Sequence, residues 1–507
     1  MAKQKQNQAL SAPLLTPKAF YAKYSLGRVE HENTAIRICN VTLPYIMMPQ
    51  GASSSTQMQD SIAQAFCGRA VNSLKAKMGM SLLPPSTSSF RLAPDKDALA
   101  QITNSDANKQ AEVYQKLSGV TAQINNEIEA QQIRDKMFDL LAQLIVIGSV
   151  VIEKKPQRGI HLHFLRSFTV DLNARGEPRG ICVVEKLKDL PKGIEAKVVQ
   201  ETYNLYTLVT WDNITQKWTM TQSIEDDIVG ESQQFTDEEC PFKYVGWTWT
   251  EGDKYHRPYA EDYLPDMEQY NTLATLVTKG SVVASKVLIF VDEKGNRTRK
   301  SAVANSANGD VVNGRAEDVT AFQLNKNFDF QVPVGRMEEI KKDLSAAFLM
   351  NESVTRNAER VTAEEIRYMA QELESSSLSG VYSKLSVLVS KQIVLWIMAE
   401  LKIKFDAINV NVITGLDALG RSQESQKLDG FMQRMTSLNL VHWVKEEEVV
   451  QRYAAYDGID VTNLIKTPDE VKSELAQQQQ QQTAQAGTQA LAESAGKTAG
   501  ANIVPQG

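Results

Sequence analysis

The sequence predicts a mainly helical α+β protein with a β-rich segment inserted between helical ones, and three observations carry that prediction. Apolar residues recur every three to four positions in several long stretches, as helices with one buried face require. Between Ile160 and Trp249 the pattern changes to short alternating runs, HLHFL, YNLYTLVTW and KWTMTQ, parted by Gly, Asn and Asp. The 507 residues, 42% hydrophobic and 23% charged, suffice for more than one core and about three domains, and exclude wholesale disorder.

The elements follow in chain order. The first 16 residues are polar and punctuated by proline, and read as a flexible arm. Phe20 to Val41 reads as a helix ending before TLPY, where Pro44 and Pro49 impose a turn. Gln57 to Met80 carries Ile62, Phe66, Ala70, Leu74 and Met78 at four-residue spacing, with Asp60 and Ser61 near its start and Pro84 and Pro85 as its stop. Asn108 to Val146 reads as another helix, which SVVIEKK turns into a strand.

Pro258, favoured in a first helical turn, opens a helix of about 25 residues with Tyr259, Tyr263, Met267, Tyr270, Ala274, Val277 and Ser281 along one face. The following stretch, KVLIFVDEKGNRTRKSAVANSANGDVVNG, reads as a small β-rich module whose loop crowds Lys294, Arg297, Arg299 and Lys300. A second helix spans about Val334 to Met350, with Met337, Ile340, Leu344 and Phe348 inward.

The sharpest local signal is ERVTAEEIRYMAQELE, where Thr362 and Glu365 form a capping box, each side chain satisfying the other's backbone amide. The helix so opened reaches to about Lys402, with its weak point at Ser375 to Gly380. In front of it NESVTRNAER forms a polar loop without Pro or Gly, which must project into solvent or a channel. Helical pieces from Ser422 to Ile465 give way to a Gln- and Ala-rich tail, expected to be mobile beyond Gln482.

Charge and motifs exclude several functions. With 61 acidic against 55 basic residues the net charge is −6, which is not that of a protein that grips nucleic acid through bulk charge. Cys39, Cys67, Cys182 and Cys240 show no CxxC spacing and read as buried free thiols. The apolar run Leu140 to Ile152 is short of a bilayer span, and the N-terminus has no secretory pattern, so the expected address is the cytoplasm or an assembly built there. GKT at Gly496 to Thr498 lacks the preceding glycine, since Leu491 stands there, and PDEVK, with Asp469, Glu470 and Lys472, puts its two adjacent carboxylates on different helix faces and has no strand context for a metal-dependent nuclease site. His161 and His163 share one strand face, but no third donor lies at ligand spacing, so a structural or exposed role and no metal are expected.

What remains is an order of elements: two long helices around a small β module, a polar loop, then a long capped helix. In a monomer the apolar stripes would lack partners, and lateral packing in a ring would cover them. TLPYIMMP, AFCGRAVNSLKAKMGMSLLPPSTSSFRL, YAEDYLPDMEQYN, SKVLIFV, NGRAEDVTAFQL, ERVTAEEIRYMAQELE with GVYSKLS, and TGLDALGRSQE occur in family order from about residue 20 to 460. On these stretches the sequence closely resembles the head-to-tail connector, or portal, proteins of autographivirus-type short-tailed bacteriophages.

The resemblance implies a non-enzymatic, cofactor-free portal fold with wing, stem, clip and crown, assembled as a ring of about twelve at one capsid vertex of the virion. It places the arm and wing at 1–257, stem helices at 258–286 and 326–350, the clip at 287–325 and the tunnel loop at 351–361. The long wing helix and its return would take 362–420, the crown 421–474 and the tail 475–507. Implied partners are other copies of the chain, double-stranded DNA, the terminase, a tail adaptor, and capsid and scaffolding proteins, without a membrane; assembly would occur in the bacterial host cytoplasm.

Asn351, Glu352, Arg356, Asn357 and Arg360 would then face DNA, with Glu352 and Glu359 partly neutralising the arginine rings and Arg360 able to pair instead with Glu364. Lys294, Arg297, Arg299 and Lys300 would meet the terminase and later the adaptor. A ring-forming scaffold or adaptor without DNA contact is the competing class, and an unrecognised nuclease the third.

Overall fold

The computed structural model describes residues 15–47, 62–85, 88–94, 107–188, 201–284, 287–291, 305, 319–323, 327–350, 363–403, 410–414, 421–440, 443–444, 449 and 453. The chain divides into two compact units. The first holds Met1–Arg91, Ile124–Lys404 and Val412–Leu416, and the second Leu92–Gln123, Phe405–Asn411 and Asp417–Gly507.

The first elements are α1 (Pro17–Ser25), α2 (Val29–Val41), α3 (Phe66–Leu82), β1 (Phe90–Pro94), α4 (Ala107–Ala130) and α5 (Ile133–Val146). Strands β2 (Ser149–Lys155), β3 (Gly159–His163), β4 (Phe168–Leu172), β5 (Pro178–Leu187), β6 (Tyr203–Asp212), β7 (Lys217–Ile224), β8 (Asp227–Phe235) and β9 (Phe242–Gly246) follow. Then come α6 (Leu264–Ala284), β10 (Val287–Val291), β11 (Val319–Gln323), α7 (Asn327–Ala347), α8 (Ala363–Ser375), α9 (Ser379–Leu385), α10 (Gln392–Glu400), β12 (Val410–Thr414) and α11 (Arg421–Ser437). This mixture of helices and antiparallel sheets is the α+β class that the sequence predicts.

Alternation builds the two larger sheets. Strands β4 to β8 pair in chain order as an antiparallel meander, and α1 lies against it. The β5–β6 register, Gly180 opposite Thr210, Cys182 opposite Leu208 and Val184 opposite Tyr206, puts these residues on one face. There Phe20 of α1 packs into a cluster with Cys182, Tyr206 and Leu208. A Cβ on Gly180 would stand 2.8 Å from the Phe20 ring, so only glycine lets the helix approach this closely.

The second sheet has the order β3-β2-β9 and packs on α5. Gly148 joins α5 to β2 with φ of +86°, and a Cβ there would meet the His256 carbonyl at 2.5 Å. Ser149, Tyr244 and His256 form a buried polar cluster beside it, with Ser149 Oγ 2.9 Å from Tyr244 Oη and Tyr244 Oη 3.0 Å from His256 Nδ1.

Helix breaks account for most differences from the sequence reading. The helix expected over Phe20 to Val41 is interrupted by a 3-10 turn at Leu26–Arg28, where Gly27 fits against Lys254. The helix expected from Gln57 begins at Phe66: residues 62–65 are not helical, and Gln64 Oε1 accepts the Cys67 amide at 2.9 Å. Phe66, Ala70, Leu74 and Met78 are buried as predicted, whereas Gln57 to Ser61 lie outside the described residues. The helix expected over Asn108 to Val146 divides into α4 and α5 at Gln131–Gln132, with Gln132 at φ 53°. The Gln131 amide is drawn into the Lys154–Glu400 ion pair, accepting from Lys154 Nζ at 2.6 Å and donating to Glu400 at 3.0 Å.

Pro258 is extended rather than helical; it precedes a 3-10 turn at Tyr259–Glu261, and α6 starts at Leu264. The helix expected from Val334 starts at Asn327 and passes through Pro333, which removes one amide donor without ending it.

The long capped helix breaks where the sequence marks its weak point. Ser376 Oγ donates to the Leu373 carbonyl at 2.7 Å and accepts the Leu378 amide at 3.2 Å, a local bonding pattern that competes with the helical ladder. A π-helical stretch, Ser386–Lys391, then separates α9 from α10, and buried Ser390 within it bonds the Leu82 carbonyl at the end of α3. The span Ser379–Glu400 is long and apolar enough by composition to cross a membrane. Its Tyr382, Leu385, Val389, Ile393 and Ile397 are core residues of the first unit.

All four cysteines are buried and free, and burial pushes Cys39, Cys67 and Cys182 up to about 12 and Cys240 up to about 11. In the second unit α11 supplies the helix expected from Ser422, and Tyr453 Oη donates to Asp429 at 2.6 Å. Residues 1–14, Pro49, residues 454–465, the Gln/Ala-rich tail and the GKT and PDEVK segments lie outside the described residues.

Candidate functional site

The order that the sequence singles out, helix, β module, helix, loop, helix, folds as α6, β10, β11, α7 and α8. β10 and β11 pair antiparallel, from Val287 opposite Gln323 to Val291 opposite Val319, which brings the ends of α6 and α7 back together. The two helices pack on each other. Near the start of α6 and the end of α7, Met267, Tyr270, Ala274, Ile340, Leu344 and Phe348 are buried, as the predicted stripes require. Toward the strands the stripes weaken, with Val277 and Met337 only half-buried and Ser281 exposed, and beside them Leu276 and Val282 of α6 are each 56% exposed and Val332 of α7 is 77% exposed.

The end of α7 is fixed by aromatic packing. Tyr259 Oη donates to the Ala347 carbonyl at 2.7 Å, and the Tyr259 and Tyr263 rings meet Phe348 edge-on at 5.2 and 5.5 Å. Trp247 closes the cluster 5.4 Å from Tyr259. α7 terminates with Leu349 at φ 51°; the Met350 amide reaches the Ser345 carbonyl at 2.8 Å and the Leu349 amide reaches Ala346 at 3.2 Å. This is a Schellman end with leucine where glycine is usual, a strained residue two positions before residue 351.

On the other side of residues 351–362, α8 packs against α3 through Met369, Ala370 and Leu373. Lys77 of α3, almost fully buried, pairs with Glu372 of α8 at 2.9 Å. Farther along, Lys384 of α9 donates to the carbonyls of Gly246 at 2.7 Å and Trp247 at 3.2 Å, and burial depresses its pKa. Both segments flanking residues 351–362 are therefore anchored in the core of the first unit.

Asn351, Glu352, Arg356, Asn357, Arg360 and Thr362 lie outside the described residues, as do Lys294, Arg297, Arg299 and Lys300. Glu365 is described: it is exposed and third in α8, the position that a capping box over Thr362 assigns to it. Sequence reasoning missed Lys77, Lys384 and the Leu349 terminus. Buried lysines on helices and a leucine in a left-handed cap carry no local signature, because each is set by what packs around it.

His161 and His163 do share a strand face, with rings 4.7 Å apart. The expectation that no third donor lies near them is corrected by the fold. Glu185 of β5 brings a carboxylate within ligand reach of both rings, and Glu153 of β2 lies 2.8 Å from His163 Nε2. Strand pairing and sheet packing supply these donors, so spacing along the sequence does not reveal them.

Comparison with known proteins gives a consistent result. The profile of the family described as bacteriophage head to tail connecting protein matches residues 18–465. The portal protein of Escherichia phage T7 is 30% identical over 96% of this chain and 95% of its own length. The portal protein of Enterobacteria phage T3 is 30% identical over 92% and 91%, and that of Enterobacteria phage SP6 26% identical over 91% and 92%. A solved structure described as the neck of a native GTA particle computed with C12 symmetry covers 84% of this chain and 98% of that one at 11% identity. Its TM-score is 0.34, too distant to bear on the argument. With a family match over most of its length and portal relatives covering nearly all of it, the chain belongs to the bacteriophage head-to-tail connecting proteins, the portal proteins of short-tailed phages.

Proposed function

We propose that the chain is one subunit of a portal ring of about twelve copies at a capsid vertex, through which double-stranded DNA enters during packaging and leaves into the tail. The observation that carries the ring reading is the helix pair: α6 and α7 bury one end in the first unit and expose Leu276, Val282 and Val332 at the other. Exposed apolar residues at matching ends of two packed helices are what neighbours in a ring would cover. In this reading 258–286 and 326–350 are the stem, 287–325 the clip, 1–257 and 362–420 the wing, and 421–474 the crown.

Residues 351–361 are the tunnel loop, projecting from two anchored flanks toward DNA. Copies of Arg356 and Arg360 around the ring would form cationic belts in a protein whose net charge is −6 per chain, steering the duplex without holding it. Lys294, Arg297, Arg299 and Lys300 face the terminase during packaging and the tail adaptor afterwards. The chain is a conduit, and the terminase supplies the work of ATP hydrolysis. Subunits are made and assembled with capsid and scaffolding proteins in the host cytoplasm.

The test is the DNA path. A photo-crosslinker placed at Asn357 should join the chain to packaged DNA, and Arg356→Ala should assemble normally yet package or retain DNA less well. A crosslinker at Asn357 that never captures DNA in filled particles would contradict the tunnel-loop reading and favour a ring-forming scaffold or adaptor.

A further inference from the structure

Strand register gathers a second constellation away from the α6–α7 pair. In β2 and β3 Glu153 stands opposite His161 and Val151 opposite His163, and residues two apart share a face. Glu153, Lys155, His161 and His163 therefore project from the same side of the three-stranded sheet. Glu185 meets them from β5, a strand of the five-stranded sheet. One ligand atom from each of His161, His163 and Glu185 lies within 4.8 Å of the others.

We propose that His161, His163 and Glu185 form a binding site for a zinc-like first-row transition metal ion, which clamps β3 of one sheet to β5 of the other. Two imidazoles and a carboxylate suit Zn²⁺ and its borderline neighbours rather than Mg²⁺ or Ca²⁺, which take oxygen donors. In a tetrahedral zinc site with bonds of about 2.0–2.2 Å, donors stand about 3.4 Å apart, so closure asks for a side-chain movement of little more than about 1 Å. The site is open on one side: His161 is exposed on an edge strand, while His163 is almost fully buried. That leaves a fourth position for water.

Glu153 is a positioning residue. Its Oε2 stands 2.8 Å from His163 Nε2 and its Oε1 2.7 Å from Lys155 Nζ, which holds the His163 ring against the sheet; with Nε2 so bonded, Nδ1 is the ring nitrogen open to the metal. Lys155 Nζ also sits 3.1 Å from Glu185 Oε1 and occupies the place of a cation. Two carboxylates and one ammonium leave the cluster one negative charge with both rings neutral, so a dication is attracted. Lys155 is one-third exposed, and its stem can carry the ammonium into solvent when the metal takes Glu185. The lysine is thus a competitor for the site, which gives the proposal a sign that a plain ion-pair network does not share.

The experiment is calorimetric titration of tag-free, metal-stripped full-length protein with ZnCl₂ and, separately, MgCl₂, together with thermal melts. The expected result is one Zn²⁺ per chain with a rise in Tm, and no saturable Mg²⁺ binding. His161→Ala and Glu185→Gln should weaken Zn²⁺ binding at least tenfold while the metal-free melting curve keeps its cooperativity, since both side chains reach solvent. Lys155→Met should tighten binding several-fold. Zinc binding that is absent, that survives both His161→Ala and Glu185→Gln, or that weakens in folded Lys155→Met would overturn the assignment.

Discussion

The β3-β2-β9 sheet and the outer half of the α6–α7 pair lie in the same unit and treat their apolar residues in opposite ways. The sheet region is complete within one chain: Val150, Val151, Ile152 and Val245 are buried, and Ser149, Tyr244 and His256 satisfy one another. The outer helix pair leaves Leu276, Val282 and Val332 in solvent. The first region is stabilised by folding alone, and in the proposed ring the second is completed by neighbouring chains. Mutations should therefore separate into those that damage the chain and those that damage only the ring.

The largest effect should follow from placing charge on the exposed end. Leu276→Asp with Val282→Asp should abolish rings on a native mass spectrum while leaving the Tm of the isolated chain nearly unchanged; rings of unaltered abundance would break the distinction. Leu344→Ala, at a fully buried position on the inner half of α7, should do the reverse. It should cost about 2–5 kcal/mol in denaturant unfolding through lost packing and a residual cavity. Leu276→Ala in the isolated chain should stay within about 0.5 kcal/mol.

Acid should act next, through the His31 ring of α2 and the His256 ring beside the β3-β2-β9 sheet. Burial holds the His31 ring neutral, pushed down to about 4, and burial followed by the Lys384 charge pushes His256 down to about 3. An unfolded chain protonates these rings near pH 6.5, so lowering the pH below that value favours unfolding by about 1.4 kcal/mol per pH unit for each ring. The loss should begin near 6.5 and continue to about 4 for His31. In His31→Phe, which retains a ring against Tyr255, the slope of stability against pH should be shallower over this window. An unchanged slope would show that His31 is not among the groups responsible. A smaller effect than that of Leu344→Ala belongs to Arg37→Ala, which removes the exposed two-bond pair with Glu268 between α2 and α6. About 0.5–1 kcal/mol is expected in a denaturant melt.

The sequence makes periodic features legible and leaves three-dimensional ones obscure. The stripes Phe66–Ala70–Leu74–Met78 and Ile340–Leu344–Phe348 are buried as their spacing predicts, and the β-rich segment resolves into strands β3 to β9. The weak point at Ser375 to Gly380 was readable because serine hydroxyls compete locally with the helical ladder, as Ser376 does. The break at Gln131–Gln132 was not, because it follows from the Lys154–Glu400 pair and from Gly159 fitting against the Gln131 carbonyl. The same holds for the π-helical stretch before α10, and for Glu185, which joins the two histidines only once two sheets pack. The candidate DNA and terminase residues were read from a resemblance to a family rather than from periodicity, because polar loop residues carry no burial pattern.

The proposed ring completes the exposed helix ends with neighbouring chains. Its most direct test is the native mass of the purified chain under assembly conditions, read together with particle images. Twelve chains of 56.4 kDa give about 680 kDa, and the account predicts a species of about that mass with an axial hole wide enough for duplex DNA. A well-folded monomer or dimer with Leu276 and Val282 still open to solvent would contradict it.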